Sequence, residues 1–175
     1  MKGGVGTAAE TTASGIMVGA LAVVNCWGEV IDPETGEVIA GPRGEMRGEL
    51  VSTVEQMRKE APLSTFIEAA RQQAGQNTTL GVVATDAVLT KDDARRLAVM
   101  AQAGLARCIR PAHSPVDGDT VFALATGRNE TATDLLQLGT LAARAMERAV
   151  VRAVTEARGL GGVPSAAEWA VGGKK

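Results

Sequence analysis

"NTTLGVVATDA", residues 77–87, opens with an amide and two consecutive hydroxyl residues and then runs into small and β-branched apolar side chains, closing on a polar pair. This pattern predicts a buried strand over 78–87. Downstream, "LTKDDARRLAVMAQAGLARCIRP" predicts a helix with Thr90 as N-cap and with Asp92 and Asp93 in the first turn, where they complement the dipole. Leu97, Met100, Ala101, Leu105 and Ala106 form its apolar stripe, and Pro111 is expected to end it. "DTVFALATG", residues 119–127, reads as a second strand, and residues 131–158 as a long amphipathic helix stopped by Gly159, Gly161 and Gly162. Strand, helix, strand and helix over an alanine-rich interior imply α+β or α/β layers.

Upstream the signal is weaker. Residues 16–31, "IMVGALAVVNCWGEVI", mix β-branched and small apolar residues without a helical period, and the turn formers "DPETGE" follow. A strand pair joined near residues 32–37 is expected, with Val38 to Ala40 on the return strand. Residues 41–76 change character. "LVSTVEQMRKEA" and "STFIEAARQQAG" have the composition of short helices, but the segment reads best as a surface connection.

Composition sets the limits. The chain has 175 residues, 45% hydrophobic and 22% charged, enough for one domain with a sizeable core. Only 2% are aromatic and there is no Tyr, so Ala, Val, Leu and Ile must build that core, with 21 Gly allowing close backbone approaches. A net charge of -2 and a pI near 5.5 give no basic stripe for a phosphate backbone, so no nucleic-acid partner is expected. Cys26 and Cys108 stand far apart, with His113 the sole histidine; two reduced thiols are expected, with no disulfide, metal or cofactor site. No secretory h-region and no uninterrupted bilayer-length apolar run is visible, which predicts a soluble cytoplasmic protein without a membrane partner. "MKGGVGTAAETTASGIMVGALAVVN" starts as though inside a fold, the expectation for a fragment.

Three motifs have local readings. "KGGVGTA", residues 2–8, resembles the phosphate loop of deviant Walker ATPases but has Thr7-Ala8 where the Lys-Ser/Thr pair belongs, so a glycine-rich turn is the better reading. Asn77-Thr78-Thr79 and Asn129-Glu130-Thr131 fit the N-glycosylation pattern, which a chain without a secretory signal has no occasion to use. In "SPVDGDTVF", Asp117 and Asp119 flank Gly118 at a strand mouth; on one face they would form a carboxylate pair with one pKa raised, and otherwise they make a plain Asp-Gly turn. Locally, Asn77 and Thr78 read as a turn residue and the first residue of a strand.

Taken in order, "KGGVGTA", "VGALAVVN", "IAG", "NTTLGVVATDAVLTK", "RLAVMAQAGLARCIRPAH" and "DGDTVFALATG" resemble the second half of the DmpA-type aminopeptidases and nylon-oligomer hydrolases. These are N-terminal-nucleophile hydrolases related to ornithine acetyltransferase. The resemblance covers nearly the whole chain and implies an α+β fold, an αββα sandwich incomplete at its N-terminus. It implies a precursor that cleaves itself between Asn77 and Thr78, leaving residues 1–77, with the 41–76 linker, as an α-chain remnant and residues 78–175 as a β-chain. An N-terminal threonine carries its own base, because the freed α-amine stands next to the hydroxyl. By the same resemblance Asn25 donates to the oxyanion; Asp117 and Asp119 match the acidic pair that contacts the nucleophile's amine and hydroxyl in the nylon-hydrolase branch, where the aminopeptidase branch has Ser and Glu, and Lys2 matches a lysine that lies near the nucleophile in the nylon-hydrolase branch; Thr79 is the rival nucleophile. The expected function is hydrolysis of peptides or amides, without cofactor, by α/β heterodimers assembled into a homo-oligomer. The substrate stays open between α-peptides, β-peptides and nylon-like oligomers. Alternatives are an acyltransferase of the ornithine acetyltransferase type and a truncated homologue that is inactive alone.

Overall fold

The structure, a computed structural model, describes residues 1–59 and 77–170. Four strands, β1 (Val5–Thr11), β2 (Met17–Asn25), β5 (Thr78–Ala87) and β7 (Thr120–Asn129), form one sheet in the order β1-β2-β5-β7. The first two pairings are antiparallel, and β5 and β7 run parallel. Parallel neighbours need a long crossover, and α2 (Lys91–Cys108) supplies it. A small antiparallel sheet joins β4 (Val38–Ala40), β3 (Glu29–Ile31) and β6 (Ile109–Arg110), while α1 (Thr53–Arg58), α3 (Leu135–Thr155) and α4 (Ala166–Ala170) complete the elements.

Alternation gives the large sheet two unlike faces. Val18, Ala20, Ala22 and Val24 of β2 and Thr79, Val83 and Thr85 of β5 point toward α2 and α3 and are buried. Their neighbours Met17, Leu21, Val23 and Leu80 point the other way with Phe122 and Leu124 of β7, and among the described residues this second face is open and largely apolar. The covered side owes its tightness to small residues. A Cβ on Gly6 of β1 would lie 2.1 Å from the Ala149 carbonyl oxygen of α3, and one on Gly104 of α2 would lie 2.0 Å from that of Ala143. Backbones this close leave room for Ala142, Ala145, Ala149 and Ala153 in the interface and not for aromatic rings.

The strand over 78–87 and the hairpin closed at residues 32–37 are as expected; Asp32 and Glu37 are joined N–H to carbonyl at 2.8 Å. Thr90 caps α2 with a reciprocal capping box to Asp93. Other expectations are corrected. The "KGGVGTA" turn is the approach to an edge strand, β1, which small side chains on both faces had disguised. Residues 16–31 are two strands in different sheets, broken at Gly28, whose φ of 121° turns the chain. Helix α2 ends at Cys108, ahead of Pro111, because Ile109 turns extended to pair with Val30. Ala106 is exposed, and the buried stripe includes Gly104 and Cys108. Helix α3 starts after its cap Asp134 and ends at Thr155, before Gly159; Gly161 and Gly162 belong to the turn between Leu160 and Val163.

In the expected connection, residues 53–58 are helical. Ser52 caps α1, and the buried Glu29 carboxylate accepts from the Thr53 N–H at 2.5 Å and the Ser52 hydroxyl at 3.2 Å. "STFIEAARQQAG" lies outside the described residues.

Candidate active site

One end of the large sheet gathers the polar residues. The β2–β5 register sets Asn25 directly opposite Thr78, and both belong to the alternating set on the open face. Residues directly opposite on antiparallel strands hold their Cβ atoms about 4.5–5.5 Å apart. Thr79, one step along, points to the helices, is fully buried, and its hydroxyl finds no hydrogen-bond partner among the described residues. The pleat therefore distinguishes the two adjacent threonines.

Thr78 Oγ1 donates to the carbonyl oxygen of Asn77 at 2.5 Å, and the same oxygen accepts from the Gly118 N–H at 3.1 Å. A parallel bridge between Asn77 and Asp117 brings the loop before β7 alongside. Asp119 lies just outside β7, which begins at Thr120, so the two aspartates sit on the loop and not along one strand face. Both still turn inward. Asp117 accepts from the Trp27 N–H at 2.9 Å and the Ser114 hydroxyl at 2.6 Å. Asp119 accepts from the Thr79 N–H at 2.8 Å and the His113 N–H at 3.0 Å, with its side chain 1% exposed.

Burial raises the carboxyl pKa of Asp117, and the negative charge of Asp119 adds to the rise against the hydrogen bonds from Ser114 and Trp27. The Cys26 thiol is pushed up to about 12, first by burial and then by Asp117 and Asp119. Cys108 is likewise raised to about 12, chiefly by burial. Both cysteines are free, and with so little thiolate present at neutral pH neither is a ready nucleophile. At pH 8 iodoacetamide is expected to label the folded chain at least about a hundred-fold more slowly than the urea-unfolded chain. Comparable rates of mass gain would refute the two raised thiols.

Lys2 reaches the same end of the sheet by another side. Its N–H donates to the Pro164 carbonyl at 2.9 Å, and it lines a cleft of about 50 Å³ with Asn25, Cys26, Val30 and Val154. Thr78 is not part of that lining. Among the described residues no group of three or more His, Cys, Asp or Glu side chains could hold a metal, and no helix is long and apolar enough to cross a membrane. A wider groove of about 830 Å³ runs along α3, but its arginines are engaged: Arg107 with Glu147, Arg144 and Arg148 with Glu10, and Arg152 with the Thr7 carbonyl.

Sequence reasoning missed Gly118, Trp27, His113 and Ser114. Ser114, three residues before Asp117, is a hydroxyl-carboxylate spacing that local hydrogen bonding favours. The Trp27, His113 and Gly118 contributions are backbone N–H groups, which side-chain identity does not encode.

Solved structures share this architecture. The L-aminopeptidase D-Ala-esterase/amidase of Ochrobactrum anthropi, described as a variant of the Ntn hydrolase fold, superposes with a TM-score of 0.58 at 24% identity, covering 93% of this chain and 43% of that one. A β-aminopeptidase of Burkholderia sp. does so with a TM-score of 0.53 at 25% identity, over 88% of this chain and 42% of that one. The fold is α+β, of the N-terminal-nucleophile hydrolase type, as the resemblance implied. Residues 1–167 match the peptidase family S58, and the chain belongs to that family. Proteins named as uncharacterised aminopeptidases in Mycobacterium tuberculosis H37Rv and Mycobacterium leprae are each 41% identical to it, over 94% of this chain. The chain spans about half the length of these relatives, 51% and 48% respectively.

Proposed function

We propose that this chain carries the active centre of a self-processing amidohydrolase, an aminopeptidase or amide-oligomer hydrolase, that cuts itself between Asn77 and Thr78 and then uses Thr78 as its nucleophile. The observation that carries this reading is the Thr78 hydroxyl, 2.5 Å from the carbonyl oxygen of the preceding residue and on the open face of the sheet, beside Asn25. A free hydroxyl is a weak nucleophile, so position must compensate; holding it against the carbonyl it attacks removes most of the entropic cost.

After cleavage the new Thr78 α-amine takes the proton from its own hydroxyl, directly or through water, as the hydroxyl attacks a substrate carbonyl. Asn25, opposite on β2, supplies the amide donor to the substrate oxyanion, a role worth on the order of 2.7–4 kcal/mol in barrier height. Asp117 and Asp119 bring negative charge beside the new ammonium, and Asp119 holds the backbone at Thr79 in place. Lys2 adds positive charge at the Asn25 end of the sheet. The family supports peptides or related amides as substrates. In this reading the active form is a heterodimer of the two fragments, assembled further into a homo-oligomer in the cytoplasm.

Intact-mass spectrometry of the purified protein tests the proposal. Two species, residues 1–77 and 78–175, are the expected result. A single species at the full 175-residue mass after prolonged incubation would overturn it.

A further inference from the structure

We propose that the backbone N–H of Gly118 is the oxyanion donor of the self-cleavage step, and that glycine is needed there because a side chain would take the space of the Thr78 hydroxyl. This inference rests on the self-cleavage reading and adds to it a catalytic group that no side chain provides.

The Asn77 carbonyl oxygen has two donors, the Thr78 hydroxyl at 2.5 Å and the Gly118 N–H at 3.1 Å. To attack, the hydroxyl must cease donating to that oxygen and direct a lone pair at the carbonyl carbon. Of the two, the Gly118 N–H is the donor that stays. In the step itself the bond from Thr78 Oγ1 to the Asn77 carbonyl carbon forms, and the carbonyl electron pair moves onto oxygen. The Asn77–Thr78 C–N bond then breaks, and the hydroxyl proton ends on the released amine. Water next adds to the ester, freeing the Asn77 carboxyl and restoring the Thr78 hydroxyl. Negative charge collects on the Asn77 oxygen, and a fixed N–H aimed there before reaction gives its full benefit without reorganisation.

The loop is built to hold that N–H still. On one side of Gly118, both Asp117 oxygens are engaged, by Trp27 N–H and the Ser114 hydroxyl. On the other, both Asp119 oxygens are engaged, by Thr79 N–H and His113 N–H, and the Gly118 carbonyl accepts from the Thr120 hydroxyl at 3.0 Å. Asp119 thus acts as a positioning residue that ties the donor loop to the strand containing the cut, and Asp117 as one that ties the same loop to the turn after β2. Gly118 is not among the glycines with positive φ, so backbone conformation does not demand it. Space does: a Cβ there would stand 2.8 Å from Thr78 Oγ1 and 3.6 Å from its Cγ2.

The test removes the N–H without adding atoms. Cell-free translation of the full chain with glycolic acid at position 118 replaces the amide by an ester; a matched ester at position 36, also from glycolic acid, removes the Gly36 N–H that donates to the Asp32 carbonyl in the turn between β3 and β4. With fragment formation followed by mass, the position-118 ester is expected to cut about 10²–10³-fold more slowly than the all-amide chain, and the position-36 ester at close to its rate. Gly118→Ala, which keeps the N–H and fills the space, is expected to cut at least about 10²-fold more slowly. A readout independent of cutting uses uncut Thr78→Ala protein labelled with ¹³C at the Asn77 carbonyl. There the position-118 ester should raise the labelled carbonyl stretch, and the position-36 ester should leave it in place. If the all-amide chain divides and the position-118 ester divides equally fast, the donor role is overturned while self-cleavage stands. If the all-amide chain itself never divides, self-cleavage fails and this inference with it.

Discussion

Thr78→Ala is expected to leave the chain whole, and Thr79→Val to leave it dividing between Asn77 and Thr78. Two adjacent threonines are equivalent in composition, and the pleat makes them opposite in environment. Thr78 faces the open side with its hydroxyl on the Asn77 carbonyl, whereas Thr79 is 0% exposed under the helices. Removing a nucleophile that acts within a unit costs on the order of 10⁶ in rate, enough to take cutting below detection. Thr78→Ser keeps the hydroxyl and should keep the cut. Valine at 79 retains the branched shape and removes a buried hydroxyl that has no partner among the described residues, so stability should rise by about 1 kcal/mol. Mass spectrometry with urea unfolding reads both effects. A Thr78→Ala chain that still divides, or a Thr79→Val chain that does not, would place the nucleophile elsewhere.

The second large effect concerns the helix pair that carries the sheet. Gly104→Ala is expected to lower stability by about 3 kcal/mol, at the upper end of ordinary overpacking costs. Intrinsic helix propensity predicts the reverse, a gain of roughly 0.8–1.0 kcal/mol for replacing glycine inside a helix. The approach of α2 to α3 decides the sign. The added Cβ would lie 2.0 Å from the Ala143 carbonyl oxygen and 2.8 Å from its carbon, both backbone atoms with no rotamer to yield. The helices must separate, and the Ala-rich interface between them opens. At about 2–4 °C per kcal/mol for a chain of this size, the thermal midpoint should fall by roughly 6–12 °C. An unchanged or raised midpoint would mean that the helices can part at little cost.

Legibility along the chain follows side-chain contrast. The strand over 78–87 and the helix that follows it were readable because β-branched runs, a Thr-x-x-Asp cap and an apolar stripe each carry a strong local signal. The edge strand β1 was not, since "VGTAAET" alternates between small residues that differ little in size or polarity. The end of α2 was misplaced for a different reason: Ile109 leaves the helix to pair with Val30, a partner 79 positions earlier in the chain. At the site, Asn25, Thr78, Asp117 and Asp119 could be named from motifs, yet their contacts could not. Asp119 binds the Thr79 and His113 N–H groups, and no residue type announces a backbone donor.

By itself the sequence determined the class of protein: an aromatic-poor α+β chain whose ordered motifs resemble one family of hydrolases, with an Asn-Thr junction at the head of a strand. Tertiary structure alone decided which threonine faces the open side, which asparagine stands across from it, and that Gly118 holds the carbonyl at the junction. The physical reason is that propensity and periodicity act over a few residues, while sheet register and loop closure join residues 53 positions apart, as with Asn25 and Thr78, through backbone groups common to every amino acid but proline.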